Sequence, residues 1–125
     1  MSIPTSALVV DDEAHVRMFI KLILKELGVQ NIREAKNGLE ALEAYRSQPS
    51  DCVLMDVNMA GMDGLEALEI FSKEFPKAII IMITSSATRE VVEKCIERGA
   101  RNYIRKDTPK QEIANILKST FEEES

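Results

Sequence analysis

A doubly wound α/β domain with a mostly parallel sheet is the architecture that the sequence predicts, and three observations predict it. Three short segments are almost wholly apolar, two others are strand-like but polar, and amphipathic helical patterns lie between them. The apolar segments, 7–10, 52–55 and 78–83, read as strands buried on both faces. The polar ones, 31–35 and 101–105, have Ile32, Tyr103 and Ile104 as their apolar content and suit sheet edges. Placed there, they give five strands in the order 2-1-3-4-5 with right-handed crossovers, rather than the arrangement of classical dinucleotide-binding domains.

The helices follow in chain order. Val16, Phe19, Ile20, Ile23, Leu24 and Leu27 recur at the i, i+3, i+4, i+7 spacing of one buried helix face, and Gly28 supplies the stop. A second helix starts at Asn37 with Glu40 three residues on, a third at Asp63 with Glu66, and the last at Thr108-Pro109 with Gln111. Each resembles a capping box, and Pro109 is expected at the first helical position. The fourth helix, 87–98, is expected to turn Val91, Val92, Cys95 and Ile96 inward and to stop at Gly99. Leu65, Leu68 and Phe71, then Ile113, Ile116, Leu117 and Phe121, give the third and fifth helices their buried sides.

Composition fits one domain over 1–125: the 125 residues are 45% hydrophobic and 30% charged, with five Gly and four Pro. A chain of this size removes about two-thirds of its unfolded surface from water, enough for a core without disulfides. Collagen-like and low-complexity classes are excluded, and no apolar run approaches the roughly 18 residues needed to span a bilayer, so no membrane contact is expected. A net charge of −5 without a basic stripe argues against direct binding of nucleic acid. The start, Met1-Ser2-Ile3-Pro4-Thr5-Ser6, lacks the basic and long apolar regions of a signal peptide, so a cytoplasmic setting is expected. Met1 and the short acidic tail, Glu122-Glu123-Glu124, fit a complete protein. Cys52 and Cys95 form no CxxC and have only His15 as a possible nitrogen co-ligand, so they read as free, packed thiols.

Ligands on open parallel sheets bind beyond the carboxyl ends of the strands. Here those positions carry Asp11 and Asp12 (then Glu13) after the first strand, Asp56 after the third, Thr84 after the fourth and Lys106 after the fifth. Two carboxylates about 4 Å apart repel by roughly 4 kcal/mol at an effective dielectric near 20, so a convergent acidic cluster needs more cation than Lys106 alone. Oxygen ligands without His or Cys suit a hard ion, and Mg²⁺ is commonly held by one or two carboxylates together with phosphate oxygens. An ionised Asp can attack phosphorus to form an aspartyl phosphate, with metal, Lys and Thr stabilising the transferring oxygens. Asp56 is the best nucleophile candidate because its strand is central.

Together, Val10-Asp11-Asp12-Glu13, Asp56-Val57-Asn58-Met59-Ala60-Gly61-Met62-Asp63-Gly64, Ile83-Thr84-Ser85, Gly99-Ala100, and Tyr103 with Lys106 resemble the receiver domain of two-component response regulators, a flavodoxin-like fold whose strand order is likewise 2-1-3-4-5. The resemblance covers essentially the whole chain. It implies that Asp56 is the phosphoacceptor, charged from the phosphohistidine of a sensor histidine kinase or a histidine phosphotransfer protein. It implies that Asp12 and Asp56 ligate Mg²⁺, with Asp11 close behind through water and Asn58 offering its backbone carbonyl. Lys106 would pair with phosphoryl oxygens, Thr84 would supply the switch hydroxyl, and Tyr103 would turn inward as space opens. The surface that changes for a downstream protein would be the fourth helix, fifth strand and fifth helix. The loop 84–88, rich in small hydroxylated residues, is the expected moving part, and Asn58 and Ser86 match positions that tune phosphoryl lifetime.

Two departures stand out. Ala60 replaces a common Pro, which implies a more flexible loop after Asp56. Asp107 follows Lys106 where the family usually has a cis Pro, and since a non-proline cis bond costs about 2.5 to 4 kcal/mol, a trans peptide or a local rearrangement is expected. Two other functions compete. A haloacid-dehalogenase-type phosphohydrolase also uses a strand-end Asp with Thr, Lys and Mg²⁺, but wants a second Asp two residues after the nucleophile, where this chain has Asn58. A pseudo-receiver acting only as an interaction module would usually lack one of the acidic residues, the acceptor or the lysine, all of which are present.

Overall fold

Strands joined through helices must pair in parallel by crossover, and the chain alternates the two without exception among the described residues, 3–85 and 88–124 of the computed structural model. The elements are β1 (Ser6–Val10), α1 (Ala14–Leu27), β2 (Asn31–Ala35), α2 (Gly38–Ser47), β3 (Cys52–Asp56), α3 (Gly64–Glu74), β4 (Ile80–Thr84), α4 (Arg89–Glu97), β5 (Asn102–Arg105) and α5 (Lys110–Glu123). The strands form one parallel sheet in the order β2-β1-β3-β4-β5, so the polar strands are the edges, as expected.

Successive residues of a strand point to opposite faces, and here both faces are covered, which is why β3 and β4 are buried at every position. Leu8, Val10, Val53, Met55 and Met82 meet Leu42 of α2, Leu68 and Phe71 of α3, and Cys95 of α4. Val9, Leu54, Ile81, Ile83 and Ile104 meet Ile20, Ile23 and Leu24 of α1 and Ile113, Leu117 and Phe121 of α5. Cys52 and Cys95 are free and buried, and burial pushes the Cys52 thiol up to about 12. Among the described residues, no helix is long and apolar enough to cross a membrane.

Local signals act where expected at most helix ends. Asn37 accepts the Glu40 amide and Asp63 the Glu66 amide, each at 2.9 Å. Gly28 ends α1 with φ +104°, a conformation that glycine adopts without steric penalty. Three expectations need correction. Phe19 is 37% exposed, because α1 buries only the centre of its apolar stripe and Phe19 lines an open cleft between α1 and α5. Ile96 is 53% exposed, because Cys95 occupies the buried line of α4. Pro109 is the N-cap of α5, one residue before the helix begins, and no side chain caps that end. Thr88 caps α4, accepting the Val91 amide at 3.3 Å. Ser86 and Ala87, which the expected loop and helix boundary include, lie outside the described residues.

Candidate phosphoryl and metal site

Parallel strands bring their carboxyl ends to one rim, so the chemistry of that rim follows from a handful of positions. β3 ends on Asp56 and β4 on Thr84, while Asp11 and Asp12 follow β1 and Lys106 follows β5. β3 and β4 each extend one residue beyond their apolar run, which places Asp56 and Thr84 inside the ladder, both buried. The Lys106 amide donates to the Thr84 carbonyl at 2.8 Å, so the lysine leaves β5 from a hydrogen-bonded position. No cis peptide occurs among the described residues, which agrees with the trans Lys106–Asp107 bond expected from the absence of proline.

The loop after β3 is held by close packing at its far end. The Gly64 amide donates to the Val57 carbonyl at 2.8 Å, and a Cβ on Gly64 would overlap the Asp56 carbonyl oxygen. Only glycine lets the start of α3 sit directly against the backbone of Asp56. Asn58 donates its own amide to Asp56 Oδ1 at 3.3 Å, a turn that fixes the carboxylate from below.

Three carboxylates converge. Asp11, Asp12 and Asp56 each place one oxygen within 4.8 Å of the others; Asp11 and Asp56 are buried and Asp12 is exposed. Lys106 Nζ lies 2.9 Å from Asp11 Oδ2 and donates to Asp56 Oδ2 at 3.1 Å, with Glu13 Oε1 at 3.8 Å. Asp11 Oδ1 accepts the Glu13 amide at 2.9 Å, whereas its Oδ2 is buried and accepts no hydrogen bond of good geometry among the described residues. Its contact with Lys106 is therefore one of charge at short range. Burial raises the Asp56 carboxyl above its ordinary value and the Asp11 charge adds to this, against the opposing pull of Lys106 and the Asn58 amide. Burial by itself would lower the Lys106 ammonium, but the Asp11 and Asp56 carboxylates outweigh it and hold the group above an ordinary lysine.

A rim of three carboxylates against one ammonium, with a buried carboxylate oxygen that accepts no hydrogen bond of good geometry, has the charge and ligand type of a site for a hard divalent cation. Asp11, Asp12 and Asp56 could hold Mg²⁺. Glu13 is the N-cap of α1 but makes no side-chain cap bond, so capping by Glu13 does not account for the acidic run after β1. Of the other expected residues, Thr84 is at the rim, whereas Tyr103 lies on edge strand β5, 36% exposed. Asn58 is engaged through its amide. His15 is solvent-exposed.

One residue of the site is not among those the sequence singled out. Arg17 is 9% exposed; its Nη1 donates to the Asp11 carbonyl at 2.7 Å and its Nε to Glu34 Oε1 at 2.9 Å. Its signal in the sequence is its spacing, three residues before Ile20 and seven before Leu24, which puts a cation on the buried stripe of α1.

The comparisons with known proteins agree with this geometry. A family model described as the response regulator receiver domain matches residues 7–118. The chemotaxis protein CheY of Bacillus subtilis (strain 168) is 35% identical over 114 residues, covering 91% of this chain and 95% of the relative. CheY of Thermotoga maritima is 34% identical over 110 residues, 88% of this chain and 92% of the relative. Among solved structures, the CheX-CheY-BeF3-Mg complex of Borrelia burgdorferi superposes with a TM-score of 0.89 at 28% identity, covering 95% of this chain and 90% of the other. A CheY-like receiver domain protein of Methanospirillum hungatei superposes with a TM-score of 0.88 at 26% identity, covering 97% and 96%. The sheet order, the rim and the match along nearly the whole sequence lead to one conclusion: the chain belongs to the response regulator receiver domain family of two-component signalling.

Proposed function

We propose that this chain is a phosphorylation-dependent switch, in which Asp56 accepts a phosphoryl group from the phosphohistidine of a sensor histidine kinase or histidine phosphotransfer protein and thereby changes the binding of a downstream protein. The observation that carries the proposal is the Lys106 ammonium lying between the buried carboxylates of Asp11 and Asp56, beside Asp12. In the transfer, an Asp56 carboxylate oxygen forms a bond to phosphorus as the phosphorus–nitrogen bond of the phosphohistidine breaks. The departing imidazole keeps that electron pair and takes up a proton. Mg²⁺, held by Asp11, Asp12, Asp56 and the Asn58 carbonyl, would neutralise charge on the transferring oxygens.

Lys106 has a defined part in this scheme. Phosphorylation of Asp56, which forms a mixed anhydride, removes one of its two carboxylate partners and supplies phosphoryl oxygens in its place, so the ammonium moves its pairing onto the new group. The added charge of about −1.5 to −2 draws the Thr84 hydroxyl toward the phosphoryl group, and Tyr103 turns inward to fill the space. Through β4 and β5 this alters the face made by α4, β5 and α5, where the downstream protein binds. The Borrelia CheY relative, solved with CheX, BeF3 and Mg, supports the same combination of metal, phosphoryl mimic and protein partner. The proposal includes a single receiver domain over 1–125, working in the cytoplasm as a signalling component rather than as a turnover enzyme. Asn58, where a phosphohydrolase of the competing class would need an acid, supports that last point.

Intact mass after incubation with acetyl phosphate and Mg²⁺ tests the proposal. One phosphoryl group is expected on the unaltered chain, with none on Asp56→Asn and none in EDTA. An unmodified mass under all conditions, including with a histidine phosphotransfer protein as donor, favours the interaction-module alternative.

A further inference from the structure

The backbone of Asp11 is fixed from two sides. Its amide donates to the Ala35 carbonyl at 3.2 Å, and its carbonyl accepts Arg17 Nη1 at 2.7 Å. Arg17 is itself aimed by Glu34, which takes its Nε at 2.9 Å and also takes Lys21 Nζ at 3.1 Å. Glu34 and Ala35 are adjacent on β2, so the edge strand reaches Asp11 both directly and through α1. The guanidinium therefore spans two elements and ends on the peptide bond that joins Asp11 to Asp12, the pair of carboxylates at the rim.

From this arrangement we infer that Arg17 is a positioning residue for the metal site, holding the Asp11–Asp12 peptide so that both carboxylates face Asp56. The inference rests on the reading of the rim as a Mg²⁺ site. Arg17 does not touch the carboxylates of Asp11 and Asp12 in any described hydrogen bond or ion pair, and its charge is matched by Glu34. Its contribution is geometric. Asp11 Oδ2, buried and 2.9 Å from Lys106 Nζ, is aimed into the cluster by the backbone behind it. A planar fork suits the task because Nη1 and Nε serve two acceptors at once, which a lysine ammonium on its flexible stem cannot do with the same geometry.

Coulomb's law gives the competing expectation the opposite sign. If Arg17 acted on the site only through its positive charge, deleting it would tighten the binding of a divalent cation, because like charges repel. If Arg17 positions the ligands, deleting it weakens binding. Loss of overall stability alone would leave the affinity of the folded protein unchanged. Three variants, Arg17→Met, Arg17→Gln and Arg17→Lys, are to be titrated with Mg²⁺ alone by calorimetry and by following the amide resonances of Asp11 to Glu13, at a temperature where circular dichroism shows each folded.

The expected result is a Mg²⁺ Kd raised about tenfold in Arg17→Met and Arg17→Gln, in the range by which residues behind a metal's ligands act, with Arg17→Lys falling between them and the unaltered chain. A Kd equal to or tighter than that of the unaltered chain in either folded truncation overturns the inference and leaves the metal site standing. Absence of Mg²⁺ binding by the unaltered chain overturns the metal reading and this inference with it.

Discussion

At the scale of single residues, the site concentrates charge where the solvent cannot relieve it. Asp56 is buried with a carboxyl raised above its ordinary value of 3.8, first by desolvation and then by Asp11. A carboxyl raised in the fold weakens the protein at every pH where it is ionised, and the penalty fades as pH falls toward the ordinary value. Asp56→Asn is therefore expected to raise the urea midpoint of the metal-free protein at pH 7, and the gain should shrink as the pH approaches 3.8. Equal midpoints at pH 7 would contradict the electrostatic account of the rim. Mg²⁺ should have the reverse preference. At a concentration tenfold above its Kd, it stabilises the unaltered chain by about 1.4 kcal/mol, whereas Asp56→Asn, short of one ligand, gains less in the same thermal scan. Most of these residues were legible in the sequence because strand-end positions follow directly from where an apolar run stops. Arg17 was not, since its partners Asp11 and Glu34 belong to different strands and only the fold brings them to one guanidinium.

At the scale of elements, the position of the site depends on how α3 meets β3. Gly64 lies so close to the Asp56 carbonyl that Gly64→Ala must push the two apart, an overpacking expected to cost about 2 kcal/mol or more. Asp63→Ala, which removes only the cap on the Glu66 amide, should cost about 1 kcal/mol. If chemical denaturation ranks the two in the opposite order, the cap rather than the close approach fixes the loop after Asp56. Element types were readable because helix and strand periods differ so clearly here; Val53, Leu54 and Met55 have no polar interruption, while α1 repeats its apolar residues every three or four. Side-chain fates at the margins were less readable. Ile96 and Phe19 satisfy the spacing of a buried face, but Cys95 already occupies the line of α4 against the sheet and an open cleft borders Phe19. The cap of α5 escaped for a similar reason: Pro109 at the boundary and Pro109 one position inside it leave the same mark on a sequence.

At the scale of the whole molecule, the sheet divides the interior into two separate cores, and the rim is the place where residues from β1, β3, β4 and β5 meet. Stability and site are coupled there through charge networks that reach the edge. Glu34 is held below its ordinary value of 4.5, chiefly by hydrogen bonds from Lys21 and Arg17, so it stabilises the fold above that value and loses this contribution as pH falls. Since the carboxylate is partly solvated, Glu34→Gln should cost no more than about 1 kcal/mol at pH 7, and the two proteins should converge in guanidinium melts below pH 4.5. The order of strands was legible because a polar strand is tolerated only at an edge, and both polar strands proved to be there. The same feature decides how other chains can approach. β2 carries Arg33 and Glu34, and β5 is four residues long and ends at Arg105, so neither border offers a long, uncharged row of amides and carbonyls on which a foreign strand could extend the sheet. A partner is then expected to meet side chains of the helices and of β5 rather than the strand edges themselves, a contact that can be engaged and released without merging two backbones into one ladder.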